Sequence, residues 1–426
     1  PLITTINFKQ TTKQTMNINK ITSLAAIAAI SCGASGFAAS NDALLDLLVK
    51  KGVLSQTEAT AVAVELKEDQ PVFVGVKGGA VESIKLTGRL HFQYDNFDND
   101  DDSVENRDRF SFRRIYLGAE AKLFDDYYGK LIMNFGGDDD SASVDKAVVG
   151  WKYDKLANFE AGYTKVPFGY YESTSSSKIK TVERSIANRL FIEGDGLAFG
   201  GRQTGLFAKG DLGAGFSYKA AVVSAQPSNS RNDDTPKSGE QDGYGGFARV
   251  QWKSDKTDNG QLLVGADLGY MQDGSLNANG DGDLVAYGLH ANYSIGDFNL
   301  SAEGLFGSVE DNAKSGSDSD VFGLTIQPSY KINDKWEIVA SYTYADADDS
   351  YLIEADDTMR KSGNKNRFDE VSSYYIGFNY YILGNDLKLS GGFEHAEYEN
   401  GVKAKYGADA EDTDIGAFRL RLQMLF

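Results

Sequence analysis

The chain has 426 residues, of which 41% are hydrophobic and 12% aromatic, with 46 glycines and only 6 prolines. A formal net charge of −19, from 62 acidic and 43 basic residues, excludes nucleic acid as a partner for the surface as a whole. The lone cysteine, Cys32, excludes a disulfide framework and a cysteine-ligated metal, and beyond the first forty residues no run of about eighteen apolar residues offers a membrane-spanning helix.

Residues 1–15 contain no methionine and read as upstream sequence ahead of Met16. Residues 16–38 form a signal peptide: Lys20 supplies a positive start, Ile21 to Ile30 an apolar stretch, and Gly36-Phe37-Ala38 a small-x-small cleavage site. Cys32, after Ala29-Ile30-Ser31, is an alternative site for lipid attachment. The removed segment carries Lys9, Lys13 and Lys20 and no acid, so the exported chain is more acidic still.

Residues 39–83 are expected to be a periplasmic helical arm and linker. Leu44, Leu45, Leu47 and Leu48 lead to Gly52, and Ser55-Gln56-Thr57-Glu58 then opens a second helix with a capping box.

From Ile84 the hydrophobic period changes to two and remains so to the end. Ile84, Leu86, Gly88, Leu90, Phe92 and Tyr94 share one face of the first strand, and Lys85, Thr87, Arg89, His91, Gln93 and Asp95 the other. Sixteen such segments follow one another, near 84–97, 109–122, 127–136, 144–153, 157–168, 196–208, 213–225, 244–253, 261–272, 283–294, 297–309, 319–331, 335–345, 370–382, 386–398 and 414–426. Most are about ten residues, enough to cross a bilayer as a tilted strand.

Short turns such as Ile295-Gly296-Asp297 and Gly384-Asn385 alternate with long polar loops such as Asp98–Asp108, Gly169–Asp195, Gln226–Gly243, Asp346–Asp369 and Glu399–Thr413. Such parity belongs to a barrel whose two rims face different compartments. The pattern therefore predicts an all-β, transmembrane, antiparallel up-and-down barrel over 84–426, with the acidic loops outside. It must close last strand on first, because hydrocarbon satisfies no open edge.

If the apolar face meets lipid, parity turns Lys85, Arg89, Arg114, Lys130, Lys146, Arg202, Lys219, Arg249, Lys388, Arg419 and Arg421 into the lumen. The acids there are Asp95, Glu120, Glu160, Asp267, Glu303, Glu337 and Glu394, so the lumen reads as more basic than the protein. Rings of cations concentrate anions in a narrow pore.

The connection Gly169–Asp195 interleaves Lys178, Lys180, Arg184 and Arg189 with Ile179, Val182, Ile186, Leu190 and Phe191, which predicts one side packed on the wall and one toward the channel. The three histidines, His91, His290 and His395, fall on separate strands with no Ser-His-Asp order and no metal-ligand spacing. Neither catalysis nor a cofactor is expected.

Phe112-Arg113-Arg114-Ile115-Tyr116-Leu117-Gly118 resembles the second strand of the phosphate-selective porin O and P family. Pro167-Phe168-Gly169, the serine-rich turn after it and Glu183-Arg184-Ser185 resemble that family's constriction loop, and residues 44–54 its N-terminal arm. The resemblance implies a sixteen-stranded, trimeric porin of the Gram-negative outer membrane. Its third loop folds inward and places Arg184, with Lys178, Lys180 and Arg189, against small anions. It also implies lipid and lipopolysaccharide around the barrel and recognition of the C-terminal Phe426 by the assembly machinery. A barrel plugged by its own loops and a non-selective porin stand as alternatives.

Overall fold

The computed structural model describes residues 81–426 except 138–141, 193–196, 198, 200, 225–242, 273–282, 311–317, 349–350 and 404–408. The upstream segment, the signal peptide with Cys32 and the helical arm as far as residue 80 lie outside the described residues.

Alternating sequence becomes sheet from Val81 onward. The long strands are β1 (Val81–Asn99), β2 (Arg107–Leu123), β3 (Tyr127–Asn134), β4 (Ser143–Lys152), β5 (Asn158–Lys165), β6 (Arg202–Gly213), β7 (Phe216–Ser224), β8 (Tyr244–Lys253) and β9 (Gln261–Met271). They continue as β10 (Leu284–Ile295), β11 (Phe298–Val309), β12 (Ser319–Lys331), β13 (Trp336–Asp346), β15 (Arg367–Leu383), β16 (Leu387–Val402) and β18 (Thr413–Leu425), with β14 (Ile353–Glu354) and β17 (Asp409–Ala410) as two-residue additions.

Each long strand pairs antiparallel with its neighbours in sequence, and β18 pairs with β1 from Arg89↔Leu425 to Asn99↔Ile415. The sheet is therefore a closed sixteen-stranded barrel without an edge. At the seam the backbone of Phe426 exchanges hydrogen bonds with Gly88 (2.6 and 3.2 Å), and its ring lies where a Gly88 side chain would stand.

Short turns have the conformations their length requires. Gly296 adopts φ 52° in the two-residue link between β10 and β11, and Ala214 and Gly215 are both at positive φ between β6 and β7.

The faces divide as alternation demands. Phe92, Phe110, Val149, Leu206, Leu268 and Ile376 are exposed on the outside, while Gln93, Arg114, Gln203, Asp267 and Tyr375 are buried within. Outward aromatic groups gather near both rims: Tyr127 stacks on Trp151 (6.1 Å) and Trp336 packs tilted against Tyr380 (4.6 Å) near the short turns, and Tyr287, Phe306 and Phe322 form a chain (4.9 and 5.0 Å) toward the long loops. These are the interfacial girdles of a membrane barrel.

Two of the register shifts, both away from the turns, bring an extra side chain inward. The register shifts between His91 and Phe92, so Arg113 is the extra residue and turns inward beside Arg114; the shift between Ile132 and Met133 does the same for Asp145 beside Lys146. Arg113, placed outside by simple alternation, is thus a lumen residue.

Candidate channel constriction

The connection from β5 to β6 leaves the wall at Val166 and folds into the barrel. It contains two short helices, α1 (Tyr170–Ser173) and α2 (Ile186–Ile192). Val166 and Phe168, expected at the end of a strand, instead join Ile186, Leu190, Phe191 and Ile192 in a core inside the lumen. That core rests on Val223, Phe247, Met271, Leu284 and Leu305 of the inward wall. Each buried side chain of this size contributes about 1.5–3 kcal/mol, so the loop is held as part of the fold.

Polar contacts fix its register. Gly169 N–H donates to Asp267 (2.9 Å), whose carboxylate also takes both arms of Arg249 (2.5 Å each). Tyr170 N–H donates to Glu303. Lys388 donates to the carbonyls of Ser177 (3.3 Å) and Ile179 (3.1 Å), and Asn379 to that of Lys180 (2.9 Å).

At the loop's centre Glu183 accepts from Arg113 Nε (3.0 Å), Arg421 Nη2 (2.5 Å) and Gln93 Nε2 (3.3 Å). Burial pushes the Glu183 carboxyl up, but Arg113, Arg421 and Arg114 outweigh it and hold the pKa well below the usual carboxylate value.

The four loop cations have distinct surroundings. Arg184 is buried; it donates to the carbonyls of Tyr171 (3.1 Å) and Thr174 (3.0 Å) and pairs with Glu172 (3.1 Å). Arg189 is buried and donates to the carbonyl of Asp357. Lys180 reaches Glu337 (2.9 Å) and Asn299 (2.9 Å). Lys178 is exposed.

Among the wall residues, Arg89 donates to Ser176 Oγ (2.6 Å) and Ser175 Oγ (3.2 Å), Arg114 stands 3.5 Å from His91 Nδ1, and Arg419 pairs with Glu394 (2.7 Å) and Asp95 (3.4 Å). Lys130 pairs with Glu120 and Lys146 with Glu160, both at 2.9 Å, and Lys85 is exposed.

With α2 laid against β11–β13 and the rest of the loop tied to β9, β15, β16, β18, β1 and β2, the space left inside runs along β4–β7. A cavity of about 300 Å³ there is lined by Lys146, Lys165, Arg202, Lys209 and Lys219 and by only two acids, Asp145 and Glu160. Arg202 pairs with Asp145 (2.5 Å), and Lys209 reaches Glu160 at 3.2 Å. On three successive strands cations face one another directly, Lys209↔Lys219 and Lys219↔Arg249. Asp267 already balances the buried Arg249, whereas the exposed Lys209 and Lys219 repel, and an anion between them relieves the repulsion. Lys165 and Lys209 escaped the reading by alternation: Lys165 stands at a strand end on the outward count, and Lys209 falls just past the end that alternation sets at residue 208, although β6 runs on to Gly213.

No curated protein sequence is significantly similar to the chain. Among solved structures, an anion-selective porin from Comamonas acidovorans superposes with a TM-score of 0.57 at 14% identity, over 81% of this chain and 99% of that one. The outer membrane channel DcaP of Acinetobacter baumannii gives 0.53 at 14% identity, over 83% and 99%. The trimer form of OmpT, an outer membrane protein of Vibrio cholerae, gives 0.51 at 14% identity, over 80% and 99%. At this identity the likeness is one of fold. The model of the phosphate-selective porin O and P family matches residues 84–426, all of the barrel but the first three residues of β1, and the chain belongs to that family.

Proposed function

We propose that this outer-membrane porin passes small hydrophilic solutes by passive diffusion and prefers anions, phosphate-like ones among them. The observation that carries the reading is the facing pair Lys209 and Lys219, which lines the basic cavity on the wall the loop leaves free. In a site of effective dielectric near 20, a unit charge about 4 Å away is worth about 4 kcal/mol, against about 1 kcal/mol in bulk water. Charges in the acidic loops at the mouth are screened over about 8 Å at physiological salt and count for less.

In this reading the loop cations divide their work. Lys178 faces the water, while Lys180, Arg184 and Arg189 hold the constriction loop in place and add to its positive field. Arg89, Arg114, Arg202, Arg249, Arg419 and Arg421 line the lumen with Lys85. The protein is exported by its signal peptide to the outer membrane of a Gram-negative cell, where lipid and lipopolysaccharide surround it and the assembly machinery reads Phe426. A homotrimer is the assembly we infer, in keeping with the family and with the trimer form of the Vibrio cholerae neighbour. We assign the barrel no enzymatic role.

The loop folded across the lumen favours a second reading, a barrel plugged by its own chain. Single-channel recording separates the two. A pore gives discrete conductance steps whose chloride current is blocked by phosphate, and Lys209→Glu with Lys219→Glu weakens that block; silence in the bilayer supports the plug.

A further inference from the structure

The sequence places Asp346–Asp369 among the outer loops, yet residues 351–366 turn into the mouth. β14 pairs with β15 (Ile353↔Phe368, Glu354↔Arg367), and the short helix α3 (Ala355–Thr358) follows at once. Leu352, Ile353, Ala355 and Met359 are at most 1% exposed and share the core of Ile186, Leu190 and Phe191. The carbonyl of Asp357 receives Arg189 of α2.

The segment then continues past the lumen face of β16, where Thr358 meets the Tyr398 hydroxyl (3.0 Å), to β1 and the start of β2. There Asn99 donates to the Ser362 carbonyl (3.2 Å) and Arg107 to that of Lys361 (3.1 Å). It thus crosses the mouth inside β15, β16 and β18.

We propose that residues 351–366 are a strap that sets the size limit of the channel: by clamping α2 from above, they fix how much of the lumen the constriction loop leaves open. The inference rests on the porin reading given above. It separates size from sign. Two of the strap's three acids are neutralised within it and at its anchors, Asp356 by Lys365 (2.8 Å) and Arg107 (3.5 Å), and Glu354 by Lys365 (3.1 Å) and Arg367 (2.9 Å). The cavity in which cations outnumber acids lies elsewhere, along β4–β7.

A clamp is needed because α2 has seven residues, too few to persist as a helix unsupported. The constriction loop's polar anchors to the wall involve mainly its N-terminal half and Glu183, so α2 depends on apolar contact and on the strap for its position.

The test replaces residues 352–364 of the full chain by an equal number of alternating glycines and serines, with heat-modifiability as the measure of folding. In planar bilayers the conductance step should rise about twofold, because the part of the mouth beneath the strap opens. Liposome swelling should show entry of larger neutral sugars that the parent excludes, and the reversal potential in a salt gradient should not move. Parent-like conductance and exclusion limit in a folded variant overturn the strap alone. Absence of current from the parent overturns the porin reading and the strap with it. Where the replacement does not fold, Glu354→Gln with Asp356→Asn removes the ionic anchors only; brief excursions to a larger conductance level support the strap, and a steady parent-level current overturns it.

Discussion

Replacing Glu183 by alanine tests whether buried charge pairing docks the constriction loop. The change leaves Arg421, with 3% of its side chain exposed, and Arg113, with 13%, facing one another without the carboxylate they share. Removing one partner of a buried ion pair costs about 3–5 kcal/mol, because the remaining charge stays desolvated. The ratio of docked to undocked loop should therefore fall by about a hundredfold to several thousandfold. The barrel ladder is untouched, and the shift to the heat-modified form on a gel should be that of the parent. Trypsin supplies the assay, since Lys178, Lys180, Arg184 and Arg189 become cleavable once the loop leaves the wall. Glu183→Gln, which keeps one acceptor, should be cut more slowly than the alanine variant. Adding Arg421→Met to Glu183→Ala should restore part of the protection by removing an unpaired charge. Acid acts in the same direction. The folded-state pKa of Glu183 lies well below its ordinary 4.5, so its contribution to docking is complete above about pH 4.5 and is lost as pH falls toward the folded value. Channel current should accordingly become noisier in that acid range. A Glu183→Ala loop as resistant to trypsin as the parent's would refute the reasoning.

Changing Lys180 and Arg184 together to glutamate should shift the reversal potential toward cations and expose the loop to trypsin, whereas reversing Asp100, Asp101 and Asp102 should do much less; equal effects at both places would argue against a constriction-dominated field. Deleting Phe426, or replacing Gly88 by valine so that its side chain occupies the place of the Phe426 ring, should lower the amount of heat-modifiable barrel without lowering synthesis, and normal amounts would speak against the seam as an assembly determinant. Single cysteines at the exposed positions Asp100, Asp348 and Glu411 should react with an impermeant maleimide on intact cells, while one at Asn333 should not. A cysteine at the buried Asp356 should react slowly, and the reverse pattern at Asn333 and Asp100 would invert the assigned orientation.

Most of the wall was legible because a strand's period of two is local: Phe92 faces out and Gln93 in, as the alternation from Ile84 requires. What alternation misses depends on contacts distant in sequence. In Leu284 to Leu289 both faces read as apolar, because Leu284 and Ala286 meet the inward-folded loop while Val285, Tyr287 and Leu289 face outward. The bulge that turns Arg113 inward leaves no mark in the sequence, since an extra residue in one strand is defined only by its partner's register. In the constriction loop the interleaving of cations with Ile179, Val182, Ile186 and Leu190 signals packing against the wall. It does not say that Arg184 would bind the carbonyls of Tyr171 within α1 and Thr174 just after it. Leu352, Ile353 and Met359 carry the same kind of signal, hidden among the acids of a loop that composition assigns to the outside.

The central claim is a water-filled path whose ion preference is set by the cations of the free wall, Lys209 and Lys219 foremost, and not by the acidic surface. The reversal potential of the parent channel across a potassium chloride gradient tests it most directly, because it reads the sign of the favoured ion in one number. The account predicts a potential of the sign that chloride sets, in spite of a net charge of −19. A potential of the sign that potassium sets would contradict it.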